Sequence, residues 1–131
     1  MSFDLVEYFS QHASDAEPGE LTDEYRDNAA DLLPRVDALF DDLGIPQEKR
    51  IQASGWRPKA TNAATSNAAA HSNHMTGNAI DCQDRGNTIE AMIDDDLLTL
   101  HGLYRESPDS TRGWVHLQNC PPKSNRRTFQ P

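Results

Sequence analysis

The feature that most constrains this chain is an apolar stripe in its first third. Ala29, Leu32, Leu33, Val36, Leu39, Phe40 and Leu43 recur every three or four residues. That spacing puts them on one side of an α-helix, which must bury that side against something else. Thr22, followed by Asp23, Glu24 and Tyr25, supplies the start. Its hydroxyl can cap the first turn, and the acids sit at the positive end of the helix dipole. Gly44 and Pro46 supply the stop. Pro34 lies inside the stripe. Either the helix kinks there, or one helix ends at Leu33 and Pro34 opens the next. A shorter amphipathic helix is expected around Phe3, Leu5, Val6, Tyr8 and Phe9, ended by residues 15–20 with Pro18-Gly19.

The second half reads differently. Ile51, Ala53 and Trp56 fit a short strand, residues 78–82 a second and residues 114–117 a third. Ile89, Met92, Ile93, Leu97, Leu100 and Leu103 predict one helix over 89–103. Helices flanking a few short strands make an α+β fold. At 131 residues the chain is expected to be a single domain, with a helical part over 1–50, a core over 51–120 and a basic tail over 121–131. Asp94-Asp95-Asp96 reads as a solvated face. Arg126 and Arg127 read as partner contacts or as charges that keep the tail soluble.

Lys plus Arg number 12 and Asp plus Glu 21, a net charge of −9. Such a chain is a poor binder of nucleic acid or of anionic membranes. No apolar run reaches the roughly 20 residues of a membrane helix. The opening MSFDLVEYFSQH lacks the basic start and apolar core of a secretory signal, so no signal peptide is expected. Two cysteines, Cys82 and Cys120, are too few for a disulfide scaffold. They read as strand thiols near the site described next, and a disulfide or a thiol metal ligand follows if the strands bring them together.

Residues 58–78 are rich in Ala, Asn, Ser and Thr, with almost no large apolar side chain. Composition alone makes this a linker. It nevertheless leads through Ser72-Asn73-His74-Met75-Thr76-Gly77-Asn78 into Ala79-Ile80-Asp81, and a later segment carries Trp114-Val115-His116. His74, Asp81 and His116 offer two imidazoles and one carboxylate, a set that suits a catalytic zinc with its fourth position open. One carboxylate leaves such a centre near +1, able to lower the pKa of bound water from about 15.7 towards about 7. Gly77 allows a tight turn between the first two residues. Spacing alone leaves other readings open. His74 can be a solvated loop histidine, Asp81 a strand-end residue and His116 a satisfied core histidine, while His12, His71 and His101 are rival ligands.

Taken together, Ser54-Gly55-Trp56-Arg57-Pro58, Ser72-x-His74-x-x-Gly77-x-Ala79-x-Asp81 and Trp114-x-His116 resemble the M15 family of zinc D-alanyl-D-alanine peptidases, over about residues 51–120. That family includes D,D-carboxypeptidases, dipeptidases and phage endolysins. The tail PP-x-S-x-R-R-x-F is similar to that of phage-borne members. The resemblance implies a Hedgehog/D,D-peptidase-like fold, a small antiparallel sheet flanked by helices. It implies Zn2+ held by His74, Asp81 and His116, and Arg57 facing the substrate to stabilise a developing oxyanion. Ser72 is implied as a substrate-carboxylate contact or a support for the ligands, and Trp114 as a wall of the site. The implied substrate is a peptidoglycan stem peptide, cleaved by attack of zinc-bound water on the amide carbonyl. The implied origin is a phage, with synthesis in the host cytoplasm and other virion proteins as partners.

One position departs from the pattern. Better-known members carry a glutamate three residues before the last histidine as the general base, and here that residue is Gly113. The nearest acids are Glu106 and Asp109, in a segment (104–109) that reads as a loop. Glu106 ranks first because its side chain reaches further. The rival expectation is a non-catalytic, zinc-stabilised virion or wall-binding module.

Overall fold

A computed structural model describes residues 2–131. Asp4 caps the short helix α1 (Leu5–Ser10), and Thr22 caps the long helix α2 (Asp23–Asp42) by accepting the Tyr25 N–H. α2 runs through Pro34 as one helix. Pro34 lies on its exposed side, so the hydrogen bond that proline removes is lost where water can replace it. Ala29, Leu32, Leu33, Val36, Leu39 and Phe40 are all buried, as the stripe requires. The helix closes with Gly44 N–H on the Asp41 carbonyl and Ile45 N–H on the Phe40 carbonyl, which tucks Ile45 into the core.

Five strands follow: β1 (Gln52–Ser54), β2 (Ala79–Gln83), β3 (Tyr104–Glu106), β4 (Trp114–Gln118) and β5 (Thr128–Phe129), ordered β1-β2-β4-β3-β5. The expected small antiparallel sheet is therefore mixed, because β5 runs parallel to β3. The architecture is α+β. In β2 and β4 the side chains alternate. Ile80, Cys82, Val115 and Leu117 join α1 and α2 in the core, while Asp81 and His116, paired across the strands, face the other way.

Three further expectations are corrected. Residues 89–103 are not one helix. Asp84 takes the Ile89 and Glu90 N–H groups into a 3-10 turn (Glu90–Met92), Ile93 is extended, and Asp94 caps a separate helix α4 (Asp95–His101) through the Leu97 N–H. Met92 and Leu100 are consequently exposed, and the Asp94-Asp95-Asp96 run is a helix start. Residues 104–109 are not a loop throughout. Tyr104–Glu106 is a strand whose middle residue, Arg105, is buried through an ion pair with Glu90. The tail is not merely basic, since β5 closes the sheet and Arg127 stacks over Tyr104 at 4.2 Å.

The linker-like stretch is ordered as well. It forms α3 (Lys59–Ala64) and a 3-10 turn (Asn73–Thr76). Polar pins replace the missing apolar ones: the Trp56 indole donates to the Met75 carbonyl, and Asn28 of α2 donates to the Thr76 carbonyl. Gly77, at φ 80°, turns the chain from that turn into β2. A Cβ there would collide with the Tyr25 carbonyl, so position and space both demand glycine.

Candidate metal centre

Three elements bring the site together. The 3-10 turn presents His74, β2 presents Asp81 and β4 presents His116, and all three are buried. His74 Nε2 lies 3.2 Å and His116 Nδ1 3.0 Å from Asp81 Oδ1. One ligand atom from each residue lies within 4.8 Å of the others, so the group can hold a metal ion. Two ligands at about 2.0–2.1 Å from a tetrahedral ion stand about 3.3 Å apart, close to the spacings found here.

The hydrogen bonds explain why this is more than a cluster. His74 Nδ1 is 2.9 Å from the Gly55 carbonyl and must donate to it, which leaves Nε2 without a proton in the neutral ring. That Nε2 is fully buried and has no hydrogen-bond partner among the described residues. A bare ring nitrogen aimed at a carboxylate oxygen is unfavourable unless a cation lies between them. The donor chemistry thus fits a metal. Gly55 can offer its carbonyl because it packs tightly: an added Cβ would sit 2.6 Å from the Tyr8 carbonyl oxygen. His116 Nε2 lies 2.8 Å from Gln118 Oε1.

Burial disfavours the Asp81 carboxylate, yet the two imidazoles outweigh it and hold the group far below the usual carboxyl range. Burial likewise opposes a charged His116, but the hydrogen bond and charge of Asp81 raise its pKa above the ordinary histidine value.

Arg57 stands beside this group. Its Nη2 is 3.4 Å from Asp81 Oδ2, and its other nitrogens donate to Ser54 Oγ and Asn62 Oδ1. Asn62, on α3, is itself tied to the Ala69 carbonyl. The polar stretch over 58–78 therefore builds a frame for the arginine. An open cleft of about 420 Å³ leads to Asp81, with Ser54, Arg57, Thr61, Gly113 and Trp114 among its lining and His12 at its edge.

Glu106 also reaches the site, with Oε1 3.9 Å from His116 Nδ1. Strand register is the reason. Arg105 pairs with Leu117, so one residue further along β3 falls beside His116 on the same face. Asp109 sits exposed on the following 3-10 turn (Pro108–Ser110). Ser72 Oγ accepts the His74 N–H and so fixes the turn that carries the ligand. Of the rival histidines, His71 is exposed and His101 pairs with Asp42 at 2.6 Å. Cys82 packs in the core with its thiol pKa pushed up by burial, Cys120 is half-buried, and both are free. Gln118 was not legible as a site residue, and Gly55 stood in the Ser54–Pro58 motif without a role of its own. A glutamine two positions after a strand histidine shares its face, which is the one sequence signal for it.

No protein-family model, curated protein or solved structure matches the chain. No helix among the described residues is long and apolar enough to cross a membrane.

Proposed function

We propose that the chain is a phage-encoded zinc metallopeptidase that hydrolyses peptide bonds in peptidoglycan stem peptides. The same reading assigns its α+β fold to the Hedgehog/D,D-peptidase type. One observation carries it: the convergence of His74 Nε2, Asp81 Oδ1 and His116 Nδ1, the first of them buried without a hydrogen bond among the described residues, with Asp81 lining an open cleft. The sequence motifs that resemble those of zinc peptidases support the choice of metal and of substrate class.

When bound by these three residues, zinc supplies Lewis acidity and a water acidified to a pKa of about 7. The side chains do the rest. Arg57 brings a guanidinium to the cleft wall, where a substrate carbonyl oxygen gains negative charge. Glu106 Oε1 takes up a proton beside His116 and returns it to the departing amine. Trp114 walls the cleft and fixes the peptide against it. Ser72 holds the His74 turn rigid.

The deciding experiment is digestion of purified peptidoglycan, with mass spectrometry of the products, with and without chelator. Glu106→Gln should keep metal and fold while losing about 10²–10⁴ in rate. Asp109→Asn, altering an exposed acid, should change far less. Equal rates in wild type and both variants would place the proton carrier elsewhere.

A second reading has an observation of its own. Gly113 borders the cleft with open space where a side chain would lie, so no acid stands at the usual base position. That favours a non-catalytic, zinc-stabilised virion or wall-binding module. It takes over if the metal-loaded wild type releases no products.

A further inference from the structure

We infer that Gln118 is a positioning residue that decides which nitrogen of His116 is offered to a metal. A neutral imidazole carries one proton and one lone pair, and the partner of one nitrogen dictates what the other can do. Gln118 is a polar side chain with only 2% of its surface exposed, so water does not compete for it. Its Nε2 donates to the Cys120 carbonyl at 2.8 Å. That contact fixes the orientation of the amide, because only its NH₂ end can face a carbonyl. The oxygen end is therefore the one turned to His116 Nε2, at 2.8 Å, and it can only accept. When a metal takes Nδ1, which lies 3.0 Å from Asp81 Oδ1, His116 Nε2 keeps the proton of the neutral ring and donates it to Gln118.

His74 reaches the same result by the opposite route. There the backbone carbonyl of Gly55 takes the Nδ1 proton, and Nε2 is left bare. The two rings thus present different atoms to one point because they have different partners. No side-chain substitution removes the Gly55 carbonyl, whereas Gln118 can be replaced, and this makes it the half that can be tested. Gln118 reaches His116 because both project from the same face of β4, two residues apart. Nothing in the cleft requires it otherwise.

This inference rests on the metal reading of the site. The first measurement is ¹⁵N NMR of the wild-type His116 ring in the zinc-loaded protein. The expected result is a proton on Nε2 and the metal on Nδ1. The second is zinc affinity by competition with a chromophoric chelator. Gln118→Met, similar in length and without a strong acceptor, should weaken zinc binding about 10–100-fold. Gln118→Glu, which keeps an acceptor at the same reach, should stay close to wild type. A proton on Nδ1 in the wild type overturns the inference, whether or not either variant folds. So does wild-type affinity in Gln118→Met, or equal loss in both variants. If the wild type shows the expected ring with zinc bound but releases no peptidoglycan products, the positioning role stands and the metallopeptidase reading falls.

Discussion

Two buried polar clusters lie on opposite faces of the same sheet, and they differ in whether they are complete. On the core face, Asp84 accepts the Ile89 and Glu90 N–H groups, and Glu90 accepts from Arg105 at 2.9 Å and from Thr111 at 2.8 Å. Arg105 also donates to the Glu90 carbonyl and the Thr128 hydroxyl. Burial pushes the Glu90 carboxyl up, but Thr111 and Arg105 work against it. Every carboxylate oxygen there has a donor. On the other face, Asp81 has two imidazoles around Oδ1 and Arg57 3.4 Å from Oδ2, and His74 Nε2 makes no hydrogen bond among the described residues. Both clusters use acids and cationic or ring nitrogens. The closed one ties Glu90 and Thr111 to Arg105 of β3, and the open one leaves a buried ring nitrogen without a hydrogen bond among the described residues. Incompleteness in an otherwise well-paired interior is what marks a ligand site.

The sharpest way to break this contrast is His116→Ala. It should reduce bound metal from about one per chain to near zero, read by elemental analysis after dialysis. Full retention of metal would remove His116 from the ligand set. The matching change in the closed cluster is Glu90→Ala, which strands a buried arginine. It should destabilise the fold by about 3–5 kcal/mol in denaturant melts while leaving metal stoichiometry alone. If Glu90→Ala loses metal as completely as His116→Ala, the two clusters are not independent.

Chelation should act on one cluster only. A metal that binds the native state alone adds about 4 kcal/mol at 1,000 times its Kd, so verified removal should lower Tm. An unchanged melt would make the site an accessory one.

The smallest effect is the pH dependence. Without metal, His116 has its pKa raised, so its contribution to stability is full below about pH 6.5 and fades as pH rises through the folded value. Asp81 has its pKa lowered, so its contribution is present above about pH 3.9 and fades as pH falls through the folded value. A metal must displace the His116 proton. Its affinity should therefore drop as pH falls below the folded His116 value, by up to about tenfold per pH unit. Affinity flat across that range would mean that His116 gives up no proton on binding.

What could be read without the fold was whatever a local pattern states in full. The α2 stripe, the Thr22 cap and the Gly44 stop are local, because helix packing and capping act within a few residues of chain. Gly77 was readable for the same reason, as a turn between a loop and a strand. β3 was not, since Tyr104-Arg105-Glu106 shows no apolar alternation. Arg105 is buried only because Glu90, fifteen residues earlier, neutralises it. The break at Ile93 was hidden because Asp84, outside the apparent helix, competes for its first N–H groups.

The sequence by itself determined an α+β chain, and a motif resemblance singled out His74, Asp81, His116 and Arg57 from rival residues that spacing left open. Tertiary structure alone decided that His74 Nε2 is orphaned and that Glu106, not Asp109, faces the site. It also decided that a glutamine and a backbone carbonyl orient the two rings. The physical reason is range. Residue type and helical period are carried by neighbours in the chain. The proton on a ring nitrogen is set by whichever partner from a distant segment lies within hydrogen-bond distance of it, and only the assembled sheet brings those partners close.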